Sequence, residues 1–254
     1  MRVNVLGCNG SISGDLRTTC YQVDGDLLID VGTGAGDLSL QQAIAIDTVF
    51  LTHAHLDHCG MLPMLADAAG NFRDEPLTVH ALPETISAIR RNIFNGEIWP
   101  DYTALPSPEH PYIRFKPISP GETVESNGRK FTALPTRHAV PCVGYQLDSG
   151  AGSLVYSGDT TFCEEFWRAL NGIGNLKYLL VETTFLNANA AGAARSGHMT
   201  AHLLAQGLRL LQRPVELFIV HMEAGRENDT LREILDAIPE FKPVLLQRGQ
   251  VFEF

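Results

Sequence analysis

The sequence has no apolar run of 18 residues, no C-x-x-C pair and no G-x-x-x-x-G-K-[ST] loop. The first absence argues against a membrane span. The second, with five cysteines scattered at Cys8, Cys20, Cys59, Cys142 and Cys163, argues against a disulfide framework or a zinc ribbon. The third leaves nothing to suggest use of a nucleoside triphosphate. Met1-Arg2 leads straight into the strand-like Val3-Asn4-Val5-Leu6, so no signal peptide is expected and a cytoplasmic location is. A Lys/Arg-rich insertion is missing too. The net charge of −10 has the wrong sign for a nucleic-acid binder, whose affinity comes mostly from phosphate contacts. A small anionic substrate remains compatible, because bound divalent cations reverse the charge locally.

What is present fits one layered α/β unit spanning residues 1–254. A chain of this length buries roughly three quarters of its unfolded surface, so no disulfide or structural metal is needed for stability. Strands are expected at Arg2–Leu6, Thr19–Val23 and Asp26–Asp30, the last two joined at the hairpin signal Asp24-Gly25. Gly32-Thr33-Gly34-Ala35-Gly36 reads as turn glycines, since the dinucleotide-loop spacing is not met. After residue 58 come a helix at Met61–Ala69, a strand at Leu77–Ala81 and a helix at Glu84–Phe94. Short strands follow at Ile113–Pro117, Gly128–Leu134, Val143–Leu147 and Ser153–Ser157. Strands at Tyr178–Val181 and Glu216–Val220 then alternate with helices at Phe162–Leu170, Thr200–Leu211 and Thr230–Ala237. Two strand-rich stretches, each passing into strand–helix alternation, predict two similar halves packed face to face. The result is a four-layer αββα sandwich with two mixed sheets inside and helices outside.

The chemistry is concentrated in His53-Ala54-His55-Leu56-Asp57-His58, directly after the apolar run Thr48-Val49-Phe50-Leu51. Three imidazoles and a carboxylate in six residues suit two transition metals about 3.5–4 Å apart, the arrangement that attacks phosphate esters and amides. A core strand has no use for such groups, because burying them unpaired costs several kcal/mol. Further metal-type residues stand where strands end: His138 after Phe131–Leu134, Asp159 after Leu154–Ser157, and His221 after Leu217–Val220. Together they supply seven ligands, the number that two metals need.

His53-x-His55-x-Asp57-His58, then His138, Asp159 and His221 in that order, resembles the metallo-β-lactamase superfamily along the whole chain. The resemblance implies one metal held by His53, His55 and His138, another by Asp57, His58 and His221, and Asp159 bridging both. Zinc is the first expectation for such imidazole and carboxylate ligands, and manganese or iron also suits them. A true β-lactamase would carry a cysteine in place of Asp159. Ser157-Gly158-Asp159-Thr160, Val181-Glu182-Thr183-Thr184-Phe185 and Gly197-His198-Met199-Thr200-Ala201 resemble the phosphodiesterase branch of tRNA 3′-processing nucleases and cyclic-nucleotide phosphodiesterases. Leu56, where the tRNA nucleases usually have glycine, together with Arg17-Thr18-Thr19 and Ile98-Trp99-Pro100-Asp101, looks like class II cyclic-nucleotide phosphodiesterases.

That likeness implies cleavage of the 3′,5′-cyclic phosphodiester of cyclic AMP or cyclic GMP to the 5′-nucleotide by a hydroxide held between the metals. Asp57 orients the nucleophile or takes its proton besides ligating, His198 is the acid for the leaving 3′-oxygen, and Glu182 orients His198. The alternatives are a tRNA 3′-processing or other endoribonuclease, an arylsulfatase-type ester hydrolase, and a scaffold that kept the fold without the chemistry. The expected partner is a small anionic phosphodiester, with neither a membrane nor a nucleic acid. Thr160 is read as a turn contact after Asp159, Arg17 as a surface ion pair, Trp99 and Phe94 as core or lid packing, and His80, His110 and His202 as structural. Cys59 reads as a small apolar residue starting a helix. The proline- and aromatic-rich segment 95–111 is a candidate loop over the site or a homodimer contact.

Overall fold

A computed structural model describes all 254 residues. Six strands form most of the first sheet: β1 (Arg2–Gly7), β2 (Cys20–Val23), β3 (Leu27–Ile29), β4 (Thr48–Phe50), β5 (Leu77–Ala81) and β6 (Ile113–Pro117). Seven form the second: β7 (Thr123–Ser126), β8 (Arg129–Pro135), β9 (Val143–Asp148), β10 (Ser153–Tyr156), β11 (Leu176–Glu182), β12 (Glu216–Val220) and β13 (Val244–Leu245). The last strand, β14 (Val251–Glu253), returns to the first sheet beside β1, giving the order β14-β1-β2-β3-β4-β5-β6 against β13-β12-β11-β10-β9-β8-β7. Pairing is antiparallel from β14 to β3 and parallel from β3 to β6. The second sheet repeats this, antiparallel from β7 to β10 and parallel from β10 to β13.

The helices cover the outer faces: α1 (Leu40–Ala45), α2 (Leu56–Cys59), α3 (Leu62–Gly70) and α4 (Pro83–Asn92) in the first half, α5 (Glu164–Gly172), α6 (Ala190–Ser196), α7 (Ala201–Leu208) and α8 (Glu227–Ala237) in the second. The central strands are apolar at nearly every position because both faces are covered. Their period of two splits them between cores. Leu27, Ile29, Phe50, Leu154, Tyr156, Leu180, Phe218 and Val220 point into the space between the sheets. Their neighbours Leu28, Val49 and Leu51 meet the first helical layer, and Val155, Leu179, Val181, Leu217 and Ile219 meet the second. Each fully buried aliphatic or Phe side chain of this kind contributes about 1.5–3 kcal/mol. Phe50 stacked on Phe131 at 4.8 Å and Tyr21 edge-on to Tyr156 at 4.9 Å join the two sheets. The expected four layers are thus the observed ones.

Segment 95–111, read from the sequence as a loop over the site or a homodimer contact, is irregular and anchored to the first helical layer. Its aromatics extend that core: Tyr102 is buried, its hydroxyl donates to Asp67 on α3, and Trp99 packs against the same cluster. Cys59 closes α2 rather than starting a helix, its buried thiol donating to the Ala54 carbonyl. No helix is long and apolar enough to cross a membrane.

Candidate metal centre

The parallel strands β4, β11 and β12 end on one edge of the sandwich. The apolar alternation stops there and polar residues take over the loops. All seven candidate ligands meet at that edge in two groups. One is His53, His55, His138 and Asp159, the other is Asp57, His58, Asp159 and His221, and within each the ligand atoms lie within 4.8 Å of one another. Asp159 belongs to both and divides its oxygens between them. Oδ2 lies 3.7 Å from His53 Nε2 and 3.8 Å from His138 Nε2, while Oδ1 lies 3.2 Å from His58 Nε2 and 3.3 Å from His221 Nε2. Asp57 Oδ2 is 3.1 Å from His221 Nε2, and His55 Nδ1 is 3.2 Å from His138 Nε2. The cluster is partly helical, with His55 at the N-cap of α2.

The surrounding groups fix the rings. His138 Nδ1 is 3.0 Å from the Gly197 carbonyl, which can only accept, so Nδ1 carries the proton. His58 Nδ1 donates in the same way to Asp30 Oδ2 at 2.7 Å. In neutral rings the Nε2 atoms are therefore lone pairs, and they converge: His58 Nε2 and His221 Nε2 face each other at 3.4 Å. His53 Nε2 and Asp159 Oδ1 are buried without any hydrogen-bond partner. Lone pairs aimed at one another and at a buried carboxylate repel unless cations lie between them, so the donor set fits two metal ions. Protonation follows the same field. Burial lowers the His53 imidazole, as does the nearby His58, and holds it well below the ordinary range. Burial also penalises the His58 cation, but Asp159 and Asp30 outweigh it and hold His58 well above that range. Burial would raise Asp159, and the His221 and His58 charges instead drive it well down.

Local backbone supports the geometry. Asp30 and His221 are non-glycine residues in the left-handed region, with φ of 57° and 58°. That costs roughly 1–2 kcal/mol each, held in place by the surrounding hydrogen bonds. Gly10 passes so close over His221 that a Cβ there would lie 2.7 Å from its ring. Gly197, at φ 73°, places its carbonyl on His138 and leaves no space for a side chain, since a Cβ would sit 2.6 Å from the Ala139 nitrogen.

His198 follows Gly197. It lies in neither ligand group, but its ring stacks on His221 at 5.3 Å and its side chain is 12% exposed. Its Nδ1 donates to Glu182 Oε1 at 2.8 Å. Burial lowers His198, but the Glu182 charge and hydrogen bond outweigh it and hold the imidazole at about 9. Glu182 is fully buried at the end of β11 and also accepts from the backbone of Thr160, Thr184 and Met199. Thr160 thus meets Glu182, as its place after Asp159 suggests. Arg17 pairs with Asp37, Phe94 lies in the helical core, and His80 stacks on Phe50, each as expected of a structural residue. Asp30, Thr52 and Thr184 were not picked out from the sequence. The available signals were a carboxylate ending the apolar run Leu27-Leu28-Ile29 and hydroxyls immediately beside the ligand motifs.

Comparison with known proteins agrees with this geometry. The family described as "Beta-lactamase superfamily domain" matches residues 27–222. A ribonuclease Z of Halorubrum lacusprofundi is 30% identical over 156 residues, covering 58% of this chain and 47% of that protein. A probable 3′,5′-cyclic-nucleotide phosphodiesterase of Yersinia pestis is 26% identical over 221 residues, covering 81% of this chain and 60% of that protein. The chain spans about half the length of the curated relatives it matches. Among solved structures, unliganded yeast PDE1 superposes with a TM-score of 0.79 at 18% identity, covering 98% of both chains. The family match over residues 27–222 shows that the chain belongs to the β-lactamase superfamily, and the strand pattern and paired ligand groups are those of its metallo-β-lactamase members.

Proposed function

We propose that the chain is a dimetal hydrolase of 3′,5′-cyclic nucleotides. The observation that carries this reading is a histidine–carboxylate pair, His198 and Glu182, set beside two ligand groups that share Asp159. His53, His55, His138 and Asp159 would hold one ion and Asp57, His58, Asp159 and His221 the other, with zinc the first choice and manganese or iron the alternatives. Two such ions supply Lewis acidity at a phosphoryl group and a nucleophile at neutral pH.

The chain's own groups do the rest. Asp57, whose side chain is 27% exposed at the mouth of the site, takes or orients the proton of the attacking water on its carboxylate. That water adds to phosphorus, the bond from phosphorus to the ribose 3′-oxygen breaks, and the oxygen leaves with a proton from His198 Nε2. Glu182 keeps His198 Nδ1 protonated and the ring turned toward the ligand groups.

Three features favour a cyclic nucleotide as substrate. The net charge is −10 with no basic insertion, Leu56 stands exposed between His55 and Asp57, and the Yersinia pestis relative aligns over most of this chain. The competing reading is tRNA 3′ processing, favoured by the number of ribonuclease Z relatives. The test is turnover of 3′,5′-cyclic AMP and cyclic GMP beside a tRNA precursor and an aryl sulfate, using protein of measured metal content. We expect 5′-nucleotide as product, and His198→Ala should lower kcat by about 10²–10⁴-fold. Protein holding two ions that hydrolyses no cyclic nucleotide contradicts the reading.

A further inference from the structure

Two buried threonines stand in the same relation to two ligand histidines. Thr52 follows β4, and its hydroxyl lies 3.0 Å from His53 Nδ1 and 3.1 and 2.9 Å from the two oxygens of Asp30. Thr184 lies two residues past Glu182, and its hydroxyl is 3.1 Å from His221 Nδ1, 2.9 Å from Glu182 Oε2 and 2.8 Å from the His221 carbonyl. These hydroxyls are the hydrogen-bond partners of His53 Nδ1 and His221 Nδ1. A hydroxyl has one proton, and carboxylate and carbonyl oxygens only accept. Each threonine therefore donates away from its histidine, to Asp30 in one case and to Glu182 or the His221 carbonyl in the other. What it offers to Nδ1 is a lone pair, so His53 and His221 must donate from Nδ1.

We propose that Thr52 and Thr184 are positioning residues, each setting the tautomer of one ligand and thereby the affinity of one ion. Thr52 leaves His53 Nε2 as a lone pair for the group with His55 and His138. Thr184 leaves His221 Nε2 for the group with Asp57 and His58. Two other rings have nearer partners of their own, His58 in Asp30 at 2.7 Å, with the Thr52 hydroxyl farther off at 3.4 Å, and His138 in the Gly197 carbonyl at 3.0 Å, so each hydroxyl acts most directly on one ion. The proposal rests on the dimetal reading of the site and is independent of the substrate.

The experiment uses the full chain and cadmium as the probe. Wild type, Thr52→Val, Thr184→Val and the serine variant at each position are loaded with ¹¹³Cd²⁺. Affinity is read by chelator competition and the ions by their separate NMR resonances, assigned by which one Asp57→Asn shifts. Loss of an outer hydrogen-bond partner typically costs 10–100-fold in metal affinity. We expect that loss at the resonance Asp57→Asn leaves alone in Thr52→Val, and at the shifted one in Thr184→Val, with serine restoring both. Valine variants with wild-type affinity at both ions, serine variants as weak as valine, or both valines weakening the same ion overturn the proposal. A wild type that binds fewer than two ions overturns the dimetal reading and this proposal with it. Should Thr52→Val fail to fold, Thr184→Val and Thr184→Ser decide the question.

Discussion

Asp30 and Glu182 are both fully buried carboxylates, and each holds Nδ1 of one histidine directly and meets another through a threonine hydroxyl. In the first half of the sandwich both histidines, His58 and His53, belong to the ligand groups. In the second half His221 does and His198 does not. The two halves repeat one strand pattern, and in each an aspartate stands just past the first parallel strand: Asp30 after β3, Asp159 after β10. Asp30 faces an Nδ1 from behind, whereas Asp159 faces four Nε2 atoms from the front. On the proposed function, one device, a buried carboxylate on an imidazole, would serve a ligand in the first half and an acid, His198, in the second.

The largest effect that separates these roles comes from Asp159→Ala. Its two oxygens serve both groups, so both ions should be lost together, with a larger fall in affinity than the 10–100-fold typical of an outer partner. Metal content by mass spectrometry reads this directly, and full retention of both ions would break the picture of a shared bridge.

The comparison sharpens in the paired variants Asp30→Asn and Glu182→Gln. Asp30→Asn should weaken metal binding by about 10–100-fold. Glu182→Gln should leave the affinity of the His53 group near wild type while lowering kcat by about 10²–10⁴-fold through His198. Equal metal loss in both would mean that the halves do the same work.

A smaller asymmetry is expected in acid. His80 on β5 stacks on Phe50 at 4.8 Å with its Nδ1 unpartnered, and nothing of its kind stands on β12. Burial, aided by Lys116 and opposed by Glu122, lowers this imidazole from 6.5 to about 4. A depressed pKa means the neutral ring is favoured by folding, so its contribution is intact above pH 6.5 and is lost as pH falls toward 4. His80→Phe in metal-free protein should gain on wild type only below pH 6.5, by roughly 2–3 kcal/mol at pH 4 in denaturant titrations. A pH-independent difference would contradict the assignment.

The smallest effect lies at the seam. Arg129 on β8 spans to the first half, pairing with both oxygens of Asp26 at 2.6 and 2.8 Å and with Asp24 at 3.2 Å. Arg129→Met should cost about 1 kcal/mol, the upper end for a partly exposed pair, and less in high salt. It should leave metal affinity unchanged.

The layers and the ligands were legible because they follow periodicity and motif. Strands buried on both faces read as continuous apolar runs, and the seven candidates stand where those runs stop. Elements held by tertiary partners were harder to see. β14 spans only Val251–Glu253 and exists because β1 offers a free edge. α1 is short, and its signal was the capping box of Ser39 and Gln42 rather than an apolar stripe. At the site, Asp30 and the two threonines escaped because an outer hydrogen bond requires only a polar group at the right point in space, and Asp30 lies 28 positions from His58. The packing of Tyr102 and Trp99 was not legible in segment 95–111, because a stretch without periodicity gives no face to assign to a core.

The most direct measurement of the central claim is an anomalous difference map from crystals grown with zinc or manganese. The account predicts two peaks, one among His53, His55 and His138 and one among Asp57, His58 and His221, each against a different oxygen of Asp159. A single peak, or two peaks touching the same Asp159 oxygen, would contradict it.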